Sequence, residues 1–400
     1  MTLSTPAPGH PEASQPGSGQ PFSRRRFLAG AGALGMGAFG LSACVDTGVG
    51  RQYDLGETSR LSVLNWPDYI DVDDGGDPYY PGGTLDLMAA ERIIADYVPD
   101  YLDNVSGFQL VLDRAVNASP PEWDIVVVTN WRAAEMINNG WAEPLPLEVI
   151  PNHANIDPLY LTNAWDRGCR YQMPWQAGIT GIAYDPALTG RPLTSVGDLF
   201  DPAFAGRVGF IGEMREALGL VMLNNGDDPS RPTLEAAESA LVTVIEAKES
   251  GQIGAFTFNE FTDKLKSGEL VAAMAWSGDV ALLQTERPDI EFIIPDEGAV
   301  QWFDTMVIPK GSAAVGAAGR FMNFVYDPVN AARITEWVSY ISPVTGVQEE
   351  LISRGGFSAE LAQSPVLFPD AATRTRLFTW GGLEPAAESA LDDQFAQLIE

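Results

Sequence analysis

The run Asp124-Ile125-Val126-Val127-Val128 leads directly into a helix-like segment at 130–139 that stops at Gly140, and it constrains the fold more than any other feature. An apolar, mostly β-branched run without polar alternation describes a strand buried on both faces, the hallmark of a parallel sheet covered by helices. Gly140 supplies the left-handed residue that ends such a helix. The unit recurs. A strand-like 207–211 precedes a helical 213–223 that ends at Asn225-Gly226, and 270–276 precedes a helix starting near Asp279. An earlier strand is expected at 61–64 and later ones at 291–294 and 305–308, followed by helices at 313–326 and 330–339. Residues 84–98 place Leu85, Met88, Ala89, Ile93 and Val98 at helical spacing before Pro99, and 71–83 read as an acidic surface loop. Alternating strands and helices predict an α/β fold with mainly parallel sheets.

The N-terminal part carries a different message. Ser23-Arg24-Arg25-Arg26-Phe27-Leu28 opens a Gly/Ala-rich run that ends in Leu41-Ser42-Ala43-Cys44. A twin-arginine pair before Phe-Leu marks bacterial export of folded proteins. The apolar run is too short and too glycine-rich for a membrane-spanning helix. Leu-Ser-Ala-Cys resembles a lipobox, so residues 1–43 are expected to leave as a signal peptide and Cys44 to take lipid. Residues 44–59 then form a polar tether. The predicted location is the outer face of the cytoplasmic membrane, periplasmic or cell-surface.

Removing 43 residues from 400 leaves 357, more than one core usually spans, so two lobes are expected. The whole chain carries a net charge of −30. Nucleic acid and anionic lipid surfaces are poor partners for such a body, whereas cationic ligands are favoured. With Cys44 lipidated, Cys169 has no disulfide partner and reads as a small buried residue. Of the two histidines, only His153 lies outside the leader, which opposes a histidine-centred triad or a zinc cluster.

Four places share one layout, in which aromatic and acidic residues follow the end of a strand. They are Asn65-Trp66-Pro67-Asp68-Tyr69, Thr129-Asn130-Trp131, Gly212-Glu213-Met214-Arg215-Glu216, and Trp276-Ser277-Gly278-Asp279 together with Trp302-Phe303-Asp304. In open α/β sheets ligands bind outside the carboxyl ends of the strands, so the four clusters are expected to meet in one cleft. An alkylammonium ion is costly to desolvate, and a site for it must supply carboxylates. Aromatic faces add cation–π attraction and pack against methylenes. Asp68, Glu213, Glu216 and Asp304 with Trp66, Tyr69, Trp131, Trp276 and Trp302 suit a linear polycation. Asp279 reads as an ordinary helix-start residue.

On these motifs, and on Tyr340-Ile341-Ser342-Pro343, the chain resembles the spermidine/putrescine-binding proteins, solute receptors of polyamine ABC importers. The resemblance covers most of 60–380. It implies a two-lobed type II periplasmic-binding-protein fold with the ligand between the lobes. It also implies ligand contacts from Trp66, Asp68, Tyr69, Thr129, Trp131, Glu213, Glu216, Trp276, Trp302, Asp304 and Tyr340. The polypeptide is expected to cross between lobes near 174–181, 302–304 and Pro343. Lobe 1 then comprises 60–177 plus 304–343, and lobe 2 comprises 178–303 plus 344–400. Between Ile70 and Asp124 the resemblance nearly vanishes, and Gly381 after Trp380 stands where the family carries a polar residue. The implied partners are a polyamine, permease subunits and the membrane through Cys44; a monomer is expected, with no cofactor, metal or catalysis. Two alternatives stay open: the same fold with another cationic amine, an opine-like compound or a peptide, and an exported amine-processing enzyme.

Overall fold

The computed structural model describes residues 58–399, so the leader, Cys44 and nearly all of the tether lie outside the described residues. Ten strands are present: β1 Ser59–Leu64, β2 Ile93–Val98, β3 Ile125–Thr129, β4 Gln172–Tyr184, β5 Val208–Ile211, β6 Ile253–Thr257, β7 Ala272–Trp276, β8 Glu291–Ile293, β9 Ala299–Val307 and β10 Leu377–Phe378. They run in the order β2-β1-β3-β9-β4-β7-β5-β6, with β8 on β4 and β10 on β9. Within each half the first strands are parallel, as for β1 with β2 and β3, and β5 with β6 and β7. The long strands β4 and β9 pair antiparallel with each other and with one strand of each half. This is the two-lobed type II periplasmic-binding-protein fold, with mixed sheets stitched together by two shared strands.

Packing follows the same division. One core holds Val63, Ile125, Met173, Ile179, Phe303 and Met306, with an adjoining cluster around Tyr101, Phe108, Val126 and Val128. The other holds Ile182, Phe210, Leu220, Ala273 and Phe395. Strand β4 changes core between Ile179 and Ile182. A third link is the bridge between Ala177 and Ile341. Val344, Val347, Leu351 and Ala362 pack into the first core, whereas the sequence reading gave 344–400 to lobe 2; only the terminal part around Trp380, Leu391 and Phe395 packs there.

Two local expectations are corrected. Residues 84–98 are not one helix. The helix Thr84–Ala90 is capped by Glu91, Arg92 then takes φ 62°, and Ile93–Val98 forms β2 beside β1. Burial on β2 alternates, with Ile93, Ala95 and Tyr97 buried, so the period is that of a strand. Strand β9 begins at Ala299, not 305, so Trp302 and Asp304 lie within a continuous strand.

Candidate functional site

Three strand-to-helix junctions meet β9. Thr129 precedes the helix Asn130–Asn138, Glu213 precedes Met214–Asn225, and Trp276 precedes Ser277–Glu286. Neither Thr129 nor Glu213 spends its side chain capping its own helix. Both side chains turn inward instead. Helix N-termini carry partial positive charge and favour carboxylates in the first turn, which suits Glu216 one turn along.

Asp304 projects from the middle of β9 and is 3% exposed. Its Oδ2 accepts from Tyr69 Oη at 2.8 Å and its Oδ1 from Thr129 Oγ1 at 2.9 Å. Glu216 lies across the cleft on the other lobe. Its Oε2 accepts from Trp276 Nε1 at 2.7 Å and from the Thr180 hydroxyl, which in turn accepts from Trp302 Nε1 at 3.1 Å. Glu213 Oε1 accepts from Asn104 Nδ2 at 3.3 Å. Asn104 also donates to Thr129 Oγ1 at 3.0 Å and accepts from Tyr101 Oη at 3.1 Å, so it joins the carboxylates of the two lobes.

Burial dominates the electrostatics. Desolvation pushes the Asp304 carboxyl up to about 7, against the two hydroxyl bonds that favour its charged form. Glu213 rises to about 7, also through desolvation, with Arg215 the main opposing influence. Glu216 rises to about 8 through desolvation and then the neighbouring charge of Glu213. Among the described residues Asp304 and Glu216 take hydrogen bonds from neutral groups, so a cation entering between them meets two buried acids.

Aromatic rings wall the space. Trp66 lies 4.5 Å from Tyr101 and 6.5 Å from Tyr69, and Tyr69 lies 5.9 Å from Tyr340. Trp302 lies 5.4 Å from Tyr340 and 6.3 Å from Trp276. Two glycines make this packing feasible. A Cβ on Gly178 would lie 2.3 Å from the Trp302 ring, and one on Gly278 would lie 2.5 Å from Tyr340.

Nine of the eleven expected ligand residues are thus linked around one cleft: Trp66, Tyr69, Thr129, Glu213, Glu216, Trp276, Trp302, Asp304 and Tyr340. Two behave differently. Asp68 is exposed, takes φ 57°, and lines a hollow with Pro67, Tyr69, Tyr97 and Trp337. Trp131 is engaged by arginines, with the Arg215 guanidinium 3.5 Å and the Arg132 guanidinium 4.1 Å from its ring centre. Arg215 is itself buried and paired with Glu388 and Asp392 of the C-terminal helix, so it is no solvated charge. Asp279 is more than a helix-start residue. It is buried and accepts from Tyr340 Oη at 3.0 Å and Asn259 Nδ2 at 3.1 Å. Gly381 has no room for a side chain, since a Cβ there would meet the Ser230 carbonyl at 2.0 Å.

Sequence reasoning missed Asn104 and Thr180. Thr180, the one Ser or Thr in the buried run of β4, left a faint signal; Asn104, between Asp103 and Val105 in a divergent segment, left none. Cys169 is buried and its thiol is pushed up to about 12 by burial, so it is inert toward nucleophilic chemistry. Among the described residues no group of three acids, histidines or cysteines is placed to hold a metal.

Residues 109–368 match the model of the bacterial extracellular solute-binding proteins, and the chain belongs to that family. It is similar to the spermidine/putrescine-binding periplasmic protein of Escherichia coli K12, 25% identical over 350 residues, covering 86% of this chain and 92% of that one. It is similar also to the putrescine-binding periplasmic protein PotF of the same organism, 26% identical over 342 residues, covering 81% and 86%. Among solved structures, the spermidine/putrescine transporter substrate-binding protein PotD of Streptococcus pneumoniae superposes with a TM-score of 0.70 at 22% identity, over 85% of this chain and 98% of that one.

Proposed function

We propose that this protein is the receptor of an ABC importer, capturing a polyamine outside the cytoplasmic membrane and delivering it to a permease. The observation that carries the reading is the pair Asp304 and Glu216, buried on facing lobes, each hydrogen-bonded by neutral donors among the described residues. Such groups are expensive to keep charged without a counter-ion, and a ligand with ammonium groups supplies it. The aromatic walls pack against the methylenes between those groups, while an anionic ligand would be repelled by Asp304 and Glu216 in their charged forms. The named ligands of the similar periplasmic proteins support the same chemistry. Catalysis is not part of this reading: the carboxylates hold charge, and closure of the lobes excludes water.

The leader motif and Cys44 add a lipid tether, which keeps the receptor beside its permease. Thermal-shift measurement followed by calorimetric titration with putrescine, cadaverine, spermidine and spermine tests the ligand class. A raised melting temperature and saturable heat with at least one of them are expected. Silence with all four, together with a response to a neutral or anionic solute, would overturn the assignment.

A further inference from the structure

One end of the cleft, at Glu213 and Trp131, is filled by the protein's own side chains. At Glu213 the protein already supplies the groups that a ligand would. The Asn104 amide donates to Glu213 Oε1 at 3.3 Å and to Thr129 Oγ1 at 3.0 Å, occupying the place an ammonium group would take between them. Trp131, the aromatic residue at this end, is already engaged by the protein's own cations: Arg215 and Arg132 sit 3.5 Å and 4.1 Å from its ring centre. Arg132 also lies 4.2 Å from the Phe108 ring, extending the stack into the first lobe.

The stack is anchored from both sides. Arg215 is held by Glu388 at 2.7 Å and by Asp392 at 2.8 Å, and Arg132 by Glu135 at 2.7 Å and by the Asn104 carbonyl. A third ammonium reaching Glu213 would have to displace the Asn104 amide and sit beside two guanidinium groups that already engage Trp131. Asp304 and Glu216, by contrast, are met by neutral donors among the described residues and lie beside aromatic rings. We infer that the cleft selects a short dication, a linear diamine seated between Asp304 and Glu216, against tri- and tetraamines, with Asn104 as the residue that sets this limit. The inference rests on the polyamine reading of the same cleft and narrows it.

Calorimetric titration of the purified protein and of Asn104→Ala with putrescine, cadaverine and spermidine tests it. The parent is expected to bind a diamine roughly tenfold or more tighter than spermidine. In Asn104→Ala, which frees Glu213, that preference is expected to shrink to about threefold or less, chiefly through tighter spermidine binding. Spermidine binding to the parent as tightly as the diamines overturns the length limit and leaves the amine receptor standing. An unchanged preference in Asn104→Ala overturns the role of Asn104. Absence of binding by every amine overturns the receptor reading and the length limit together. The rank order in the parent decides the main point even if the variant does not fold.

Discussion

Asp304 concentrates the chemistry at the residue scale, because a single carboxylate meets Tyr69 and Thr129 while sealed from solvent. Asp304→Asn keeps the shape and removes the charge, leaving a ligand ammonium desolvated without its counter-ion. Loss of one partner of a buried charge pair typically costs about 2–5 kcal/mol, so diamine affinity is expected to fall at least about thirtyfold by calorimetry. Asp279→Ala is expected to weaken both melting temperature and affinity, since its carboxylate fixes Tyr340. The three raised carboxyls also make a pH prediction. Below about pH 4 they are protonated whether the chain is folded or not. Between there and the folded values of about 7 to 8, the native state holds protons that the unfolded chain releases. Ligand-free stability from these groups is therefore present at low pH and lost as pH rises through 7 to 8. A bound dication reverses this by favouring the charged form, so binding at pH 6 should release protons and tighten toward pH 8. Titrations in buffers of different ionisation enthalpy measure that release; identical heats in all of them would sink the prediction.

At the scale of elements, the shared strands β4 and β9 turn a pair of α/β halves into a site. Thr180, Trp302 and Asp304 lie on them, and Gly178 is the gap into which the Trp302 ring fits. Gly178→Ala drives a methyl into that ring, and overpacking of this kind typically costs about 1–3 kcal/mol. A lower melting temperature together with weaker amine binding is expected, whereas a loss of stability with unchanged affinity would mean that Trp302 is not a ligand wall. The elements themselves were unevenly legible. Val126 to Val128, buried on both faces, announced β3 outright. β2 was hidden because Leu85, Met88 and Ala89 set a helical period that Ile93 and Val98 happen to continue. The break at Arg92 is a backbone event without a sequence marker such as glycine.

On the scale of the whole molecule, the lobes touch through Asn104 with Glu213 and through Trp131 with Arg215, so the described conformation is closed over the cleft. A closed cleft shields its charges, and affinity is expected to decline with salt less steeply than exposed ion pairs would. No helix among the described residues is long and apolar enough to cross a membrane. Cys44→Ser is expected to release the protein from membranes, and replacing Arg24 and Arg25 by Lys to block export, both read by fractionation and immunoblot. Membrane retention of the processed Cys44→Ser protein would remove lipidation from the reading. By itself the sequence determined the α/β class, because β-branched runs followed by capped helices pack as strands covered by helices. It also determined much of the chemical character of the site, because Thr129, Glu213 and Trp276 follow strand ends and lie at the sheet's carboxyl edge. Only the tertiary structure decided which of them face one another. Asp68 turned outward on a left-handed backbone, Trp131 was taken by two arginines, and Asn104 came in from a stretch with no motif. Those outcomes depend on how loops fold across the cleft and on the C-terminal helix docking against Arg215, and such long-range packing leaves no periodicity in the chain.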